Sequence, residues 1–329
     1  MGMEKTNTEQ VEMKQGFFKR ISGLGELGLL IVFAVIFIFF SVASEYFFSL
    51  RNITNILGQI SLPAITAVGL AMLVIAGEVD ISIGSLQAFV ALPLVSLMNA
   101  TGSFLLGAVA ALVVGALVGV INGLLVTKLK INSLIVTLGM YYALRGAVYL
   151  VTGKVPITDE AQVDFFFAIG NLKLFGILPY SSILMIVILV VFIFIMRHTT
   201  YGRRLYAVGG NTEVASFIGI NTDRMKFSAF VLCSTLASVT AILLASRLGS
   251  AQHLAGLGFE FQVVAAVVLG GVSLSGGTGS LLGAFIGVAI MGIIQNGLGM
   301  LNVETMFQLV ITGAIIIIAV AIDELKKRH

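Results

Sequence analysis

Long apolar runs dominate the chain, and each is about as long as a helix that crosses a bilayer. A crossing helix needs about 20 predominantly apolar residues. Such runs predict ten membrane segments, at 27–47, 56–77, 81–99, 103–127, 131–152, 180–197, 225–246, 259–275, 277–298 and 303–323. The third and the eighth are short and lie beside glycine-rich stretches, where helices tend to break. The pattern predicts an all-α polytopic membrane protein of about ten transmembrane helices, with broken or re-entrant segments.

Composition supports this fold class and excludes several kinds of site. Hydrophobic residues make up 58% of the 329 residues and charged residues 11%, whereas an average soluble domain is about 25% charged. The single cysteine, Cys233, excludes an internal disulfide and a cysteine-rich metal centre, and the three histidines lie far apart in the sequence. We therefore expect no metal site and no cofactor.

Basic residues are distributed unevenly between the two sets of loops. With the N-terminus inside, the inner segments hold fourteen Lys and Arg residues and the outer segments hold four. Cytosolic loops carry an excess of basic residues, so both termini are predicted to be cytosolic. We accordingly divide the chain into a cytosolic N-terminal tail (1–25), a transmembrane domain (26–324) and a cytosolic C-terminal tail (325–329).

The inner loop at 198–224 has the makeup of a docking segment. It reads HTTYGRRLYAVGGNTEVASFIGINTDR, and Asn211 or Thr212 can cap a short helix that begins near Glu213. A helix that lies on the lipid surface is the alternative. Such helices usually carry lysine on their polar face, whereas this one offers Glu213, Ser216 and Asn221. Docking onto another protein fits the loop better.

Two pairs of segments suggest an internal repeat. GEVDISIG at 77–84 aligns with GGVSLSGG at 270–277, and two segments that begin with Asn-Gly-Leu, at Asn122 and Asn296, each reach a glycine seventeen residues later. Duplicated halves with glycine-broken segments are typical of transporters, in which the repeat is often inverted. Gly77 to Asn122 is 45 residues and Gly270 to Asn296 is 26, a difference of one membrane segment. Either one match is fortuitous or the segment after Gly84 re-enters without crossing.

Two carboxylates, Glu78 and Asp80, lie between apolar runs, where a charge is costly. A charged side chain at the bilayer centre costs about 2.5–3.5 kcal/mol on insertion scales. One interpretation is a cytosolic turn in which Asp80 or Ser82 caps the next helix. The other is a broken helix whose polar groups line a solute path, since non-helical backbone at membrane depth must line a cavity or be buried in protein. Arg145 can pair with either carboxylate or extend to the outer interface.

Four stretches together resemble permease subunits of bacterial sugar ATP-binding-cassette importers of the ribose/arabinose/xylose type. GEVDISIGS is similar to their G-G-I-D-[LV]-S-V-G-S stretch, and TTYGRRLYAVGGNTEVASFIGI to their cytosolic T-x-x-G-R-x-x-x-A-x-G-x-N-x-x-A-A-x-x-x-G-I loop. VVAAVVLGGVSLSGGTGS and KINSLIVTLGMYYALRG match two further recurrent segments. The resemblance covers roughly residues 45–325. Glu78 and Ser216 depart from it, where Gly and Ala are usual.

The resemblance implies a transport subunit that is not an enzyme. It implies a homodimer or a pair of related permeases in the bacterial cytoplasmic membrane, a separate ATPase below, and a periplasmic or lipid-anchored sugar-binding protein outside. The chain has no G-x-x-x-x-G-K-[ST] loop for phosphates, which agrees with a separate ATPase. The residues expected to form the pathway or gate are Glu78, Asp80, Ser82, Ser85, Asn122, Ser273, Ser275 and Asn296.

The same resemblance assigns the loop at 198–224 to coupling with the ATPase. Gly202, Gly209, Gly210 and Gly219 are expected to shape its turns, and Glu213–Ile220 to form the docking helix. The residues expected to couple are Gly202, Arg203, Gly209, Asn211, Glu213, Ala215, Gly219 and Ile220.

Three other functions remain open at this point. An ion-coupled secondary transporter also has intramembrane carboxylates and repeated halves. A passive channel would need rings of repeated polar or charged residues, and no such tract is visible in the sequence. A permease for nucleosides or branched-chain amino acids is the nearest alternative within the ATP-driven class.

Overall fold

The computed structural model describes residues 26–327, so the predicted N-terminal tail and the last two residues lie outside the described residues. Thirteen helices and four two-residue strands form this part of the chain. The helices are α1 (Glu26–Ala43), α2 (Leu50–Ile75), α3 (Ile83–Thr101), α4 (Phe104–Thr127), α5 (Ser133–Thr152), α6 (Asp164–Asn171), α7 (Tyr180–His198), α8 (Thr200–Gly210), α9 (Thr212–Phe217), α10 (Thr222–Leu248), α11 (Phe259–Leu269), α12 (Leu281–Met300) and α13 (Thr305–Lys327).

The two-residue strands form two antiparallel pairs. Strand β1 (Ile157–Thr158) pairs with β4 (Ser250–Ala251), and β2 (Lys173–Leu174) pairs with β3 (Leu178–Pro179). The first pair connects the loop after α5 to the loop after α10, so these two loops lie at the same end of the helix bundle.

Eight described helices are long and apolar enough to cross a membrane, namely α1, α2, α3, α4, α5, α7, α10 and α12. This confirms the all-α polytopic fold. The segment predicted at 81–99 forms α3, whose 19 residues are enough to cross. The segment predicted at 259–275 does not form a full span, because α11 ends at Leu269 after 11 residues. At 1.5 Å per residue that helix is about 16 Å long, roughly half the hydrocarbon thickness of a bilayer.

Helix α2 lies at the centre of the bundle, packed between α10 and α12. Almost all of its apolar stretch is buried inside the protein, whereas most of α1, α4, α5 and α7 faces outward. A helix that is apolar on all sides and buried is expected at the core of a membrane bundle. The central position of α2 places the break that follows it, residues 76–82, in the interior of the protein.

Helices α4 and α10 pack closely because α4 carries glycines four residues apart. Gly115, Gly119 and Gly123 all face α10, and a Cβ atom on Gly119 would lie 2.8 Å from the carbonyl oxygen of Phe230. Small residues at this spacing let helix backbones approach one another in membranes, where van der Waals packing drives association. This contact holds α10 against the part of α4 that carries Asn122.

Candidate functional site

Two glycine-rich breaks interrupt the helices, one between α2 and α3 and one between α11 and α12. In the first break, at 76–82, Gly77 has a φ of 84°. In the second, at 270–280, Gly271, Gly276, Gly277 and Gly279 all have positive φ values. Only glycine adopts such angles without steric cost. Ser280 caps the start of α12, and its hydroxyl accepts from the Gly283 amide at 2.9 Å.

The two breaks contact each other and the C-terminal end of α8. The Gly277 amide donates to the Ile75 carbonyl oxygen at 2.9 Å. A Cβ atom on Gly276 would lie 2.9 Å from the Gly77 Cα, and a Cβ atom on Gly209 would overlap the Ile75 carbonyl oxygen and lie 2.6 Å from the Gly277 nitrogen. We call the meeting of Gly77, Gly209, Gly276 and Gly277 the glycine junction. It forms only because none of these four residues has a side chain.

The two glycine motifs meet at the junction with the same sense. Helices α2 and α11 both run toward the junction, and α3 and α12 both run away from it. The match between these two motifs therefore does not relate inverted halves, and the inverted repeat stays a prediction. Both breaks contact α8, and this shared contact requires that they lie at one end of the bundle.

Tyr206 connects α8 to the second break by a further contact. Its hydroxyl donates to the Gly279 carbonyl oxygen at 2.9 Å. Burial raises the pKa of the Tyr206 phenol, an effect that nearby Arg197 opposes, so the group keeps the proton that it donates. A displacement of α8 therefore acts on the first break, through Gly209, and on Gly279 of the second break, through Tyr206.

Two glycines of α8 have a role other than the predicted one. Gly202 and Gly209 are expected to shape turns, but they lie inside α8, and the last residue of that helix is Gly210. Gly202 packs against the backbone of Met196, and Gly209 packs against the first break. Close backbone approach, and not a turn, explains these glycines. Gly219 does lie in a turn, with a φ of 84°.

A short exposed helix follows α8, as the sequence predicts. The Asn211 side chain accepts from the amides of Glu213 and Val214, both at 3.0 Å, and caps α9 (Thr212–Phe217). The helix is shorter than the predicted Glu213–Ile220, because Ile218 to Ile220 form the turn that contains Gly219. Ala215 is buried, whereas Val214, Phe217 and Ile218 are exposed. These three side chains form an apolar surface, the α9 face. Arg203 and Glu213 are also exposed nearby.

Asp80 is the acceptor of a buried hydrogen-bond network. Its Oδ1 accepts from the amide of Ser82 at 2.8 Å and from the Ser82 hydroxyl at 2.6 Å. The Asn122 amide donates to the Ser82 hydroxyl oxygen at 3.0 Å and to Asp80 Oδ2 at 3.4 Å. All three side chains are fully buried. A buried carboxylate is tolerated when it accepts several hydrogen bonds, so the network fixes the first break against α4.

Replacing Asp80 with alanine is expected to lower the free energy of unfolding by about 3 kcal/mol, because buried donors of Ser82 and Asn122 lose their acceptor. Replacing Asn122 with alanine should cost about 1 kcal/mol, since the Asp80–Ser82 bonds survive. The single cysteine, Cys233, is buried, so a thiol-reactive fluorophore added to the detergent-solubilised protein reports unfolding on heating. Equal destabilisation by the two variants would contradict the central place of Asp80 in the network.

Glu78 forms an ion pair with Lys226 at the start of α10. The Lys226 Nζ lies 2.7 Å from Glu78 Oε1, and both side chains are largely buried. Ion pairs of this kind are worth more than those on an open surface, and breaking one side is costly. The pair connects the first break to α10, close to the loop that carries α8 and α9.

The Glu78–Lys226 pair predicts a specific pattern in a double-mutant cycle. Glu78→Gln and Lys226→Gln should each lower the thermal midpoint of the solubilised protein. The double variant should recover part of the loss, because no charge is then left unpaired, with a coupling energy of about 1–2 kcal/mol. Strictly additive losses would show that the two side chains do not interact.

The other predicted pathway residues are not all brought together. Ser85 is buried in the first turn of α3, near the Asp80 network. Ser273 and Ser275 lie in the second break, where the Ser275 amide donates to the Ser273 hydroxyl oxygen at 3.3 Å. Asn296 lies at the other end of α12 from that break and accepts from Asn52 at 2.9 Å. Asn122 and Asn296, which the sequence pairs as a repeat, therefore occupy opposite ends of the bundle.

The sequence did not predict the partners of Arg145 or the burial of Glu260. Arg145 does not pair with Glu78 or Asp80; it is buried and donates to the carbonyl oxygens of His253 and Ala255 at 2.8 and 3.1 Å. Glu260, in the first turn of α11, is buried as well. Sequence reasoning missed Glu260, although it is a carboxylate inside the predicted segment 259–275, where a charge is costly.

Comparison with known proteins gives a consistent family. The model of the family described as branched-chain amino acid transport system / permease component matches residues 52–320. The chain is 36% identical to the ribose import permease protein of Escherichia coli strain K12, over 92% of this chain and 93% of that protein. It is 39% identical to a probable ABC transporter permease protein of the same strain, over 95% of this chain and 92% of that protein. It is 37% identical to the L-arabinose ABC transporter permease protein of Azospirillum brasilense, over 92% of this chain and 88% of that protein. No solved structure matches the chain.

Proposed function

The chain belongs to the family of branched-chain amino acid transport system permease components, transport subunits and not enzymes, and on that premise we propose that it forms the translocation pathway of an ATP-driven importer for a monosaccharide. The names of the relatives point to sugars, ribose in one and L-arabinose in another. The family description alone would allow a branched-chain amino acid. The sugar is favoured because these two relatives align with the chain over nearly its whole length.

The observation that carries the mechanism is the contact of α8 with both helix breaks. The α9 face is exposed and apolar, and α8, which precedes it, packs on the first break through Gly209 and on the second through Tyr206. A partner that binds the α9 face and moves it therefore displaces both breaks at once. Proteins transmit such motion between packed elements that have two discrete arrangements.

In this mechanism the breaks act as the gate on the side of the ATPase. Asp80, Ser82 and Asn122 hold the first break against α4, and Glu78 with Lys226 holds it against α10. Ser273 and Ser275 occupy the corresponding positions of the second break. Displacing the two breaks opens the pathway at this end of the bundle, and no covalent step involves this chain.

The proposed partners are an ATPase, a sugar-binding protein and a second permease. The ATPase binds the α9 face from the cytosol, and the binding protein delivers sugar on the opposite side of the bacterial cytoplasmic membrane. Arg203, Arg204 and Lys130 are exposed near α8 to α10, in accordance with a cytosolic position of this end and of both termini. A second copy of the chain supplies the other half of the pathway.

Purification from the native host tests the proposed partners. The chain is tagged at its C-terminus and extracted in mild detergent, and co-purifying proteins are quantified by mass spectrometry. We expect one ATPase with a G-x-x-x-x-G-K-[ST] loop in stoichiometric amount. Recovery of the chain free of any ATPase, after cross-linking in intact cells before extraction, would contradict the proposal.

A further inference from the structure

The segment between β4 and α11 descends into the bundle without forming a regular helix. Strand β4 pairs with β1 at the end of the bundle opposite the glycine junction. The chain then runs through residues 252–258, which approach the start of α3 in space, and enters α11 at Phe259. A Cβ atom on Gly256 would overlap the Gly84 carbonyl oxygen and lie 3.0 Å from Gln87 Cβ. The segment therefore ends against the first turn of α3, deep inside the bundle.

Arg145 of α5 holds this segment in place. Two of the segment's carbonyl oxygens, those of His253 and Ala255, accept hydrogen bonds from one nitrogen of the guanidinium, Nη1. Non-helical backbone at membrane depth leaves carbonyl groups without intrahelical partners, and Arg145 provides partners for these two. The opposite charge is supplied by Glu260, which interacts electrostatically with Arg145.

The side chains around this segment carry polar atoms without hydrogen-bond partners within the described residues. They are both amide atoms of Gln87, Nε and Nη2 of Arg145, and Oε2 of Glu260, which lies over Gly84. Gln87 and Glu260 are each 1% exposed and Arg145 is 6% exposed. Leaving such a group unpaired in a buried position costs about 1–3 kcal/mol, and more if it is charged. Five unpaired atoms in one place indicate that something else satisfies them in the working protein.

We propose that Gln87, Arg145 and Glu260 form a binding station for the hydroxyl groups of the sugar as it passes through the membrane. This inference rests on the proposed function. The atoms comprise three N–H donor positions and two acceptors, and a hydroxyl group both donates and accepts. The station combines a guanidinium, an amide and a carboxyl group, so it offers donors and acceptors side by side to a neutral hydroxylated solute.

The position of the station suits transit. It lies where α3 and α11 both begin, between the glycine junction at one end and the β1–β4 pair at the other. Solute sites of membrane transporters commonly lie at broken helices, near the middle of the membrane. In the described arrangement the station is closed, and displacement of the breaks exposes it.

The experiment uses the whole importer in liposomes, with its ATPase and binding protein, and radiolabelled D-ribose and L-arabinose as probes. Gln87→Leu removes both unpaired amide atoms at similar volume, and removal of an unsatisfied buried amide does not destabilise the fold. Transport per ATP hydrolysed is expected to fall about tenfold, the effect of losing a hydrogen bond of ordinary strength or a little more. ATP hydrolysis stimulated by the loaded binding protein should be unchanged.

Thr66→Val is the matched control. Thr66 of α2 is also fully buried, but its hydroxyl is paired with that of Thr240 at 2.8 Å. Transport per ATP hydrolysed should therefore equal that of the unmodified importer. An unchanged ratio for Gln87→Leu would overturn the station and show that water alone occupies it. An equal loss in both variants would also overturn it, because the effect would then be one of packing. Uptake by the unmodified complex that does not depend on ATP would overturn the proposed function, and the station with it.

Discussion

Replacing Gly209 with alanine is expected to abolish most ATP-driven uptake while the protein still inserts into the membrane. The added Cβ atom would overlap the Ile75 carbonyl oxygen and lie 2.6 Å from the Gly277 nitrogen, so α8 and the two breaks must separate. Overpacking of this kind costs about 1–3 kcal/mol, which predicts a loss of uptake of about 5- to 150-fold. Alanine favours the helical conformation, so α8 itself should persist.

The neighbouring residue provides the control. Gly210 ends the same helix, but a Cβ atom on it would have no atom within 4 Å. Gly210→Ala should therefore transport normally, and both variants should be present in the membrane at the level of the unmodified protein. The measurement is the initial rate of sugar uptake in cells, corrected for the amount of permease on a blot. Normal uptake by Gly209→Ala would contradict a role of the glycine junction in transmission.

Replacing Phe217 with aspartate is expected to release the ATPase. Phe217 is 82% exposed at the end of α9 and is the largest side chain of the α9 face. Buried aromatic anchors dominate many protein interfaces, and losing one costs about 2 kcal/mol or more, roughly a 30-fold drop in affinity. Co-purified ATPase and ATP-driven uptake should fall together, and the thermal midpoint of the permease should not change.

Phe175→Asp is the matched control, because Phe175 is 90% exposed in the turn between β2 and β3, away from α8 and α9. The variant replaces a similarly exposed ring by the same charged side chain, and it should retain the ATPase. Full retention of the ATPase by Phe217→Asp would show that it docks elsewhere on the permease.

The apolar runs predict most of the helices, because a bilayer imposes one length and one composition on any helix that crosses it. They could not predict the end of α11. The glycines at 270–271 indicate that a break is near, but the sequence does not show that the chain after Leu269 forms turns and donates from Gly277 to the Ile75 carbonyl oxygen. Helix α8 lies in a stretch that the sequence analysis treats as loop, because the stretch is rich in glycine. Its glycines disfavour a helix by about 1 kcal/mol each, and packing against Met196 and the breaks overrides that cost.

The site could be predicted only in part, because a sequence identifies costly residues better than it identifies their partners. Asp80, Ser82 and Asn122 are singled out by type and position, and the structure joins them in one network. The partners of Glu78 and Arg145 depend on how distant helices pack. Lys226 is one of the basic residues that the sequence assigns to the inner segments, and the carbonyl groups that Arg145 binds belong to a segment predicted to lie outside the membrane.

The measurement that tests the central claim most directly is uptake by the purified importer in liposomes. The permease, the co-purified ATPase and the sugar-loaded binding protein are reconstituted together, and D-ribose and L-arabinose uptake is followed with ATP inside, outside or absent. We predict uptake that requires ATP on the side of the ATPase and that ionophores do not affect. Uptake by the permease alone that follows a proton or sodium gradient, without ATP, would contradict the account and identify an ion-coupled transporter.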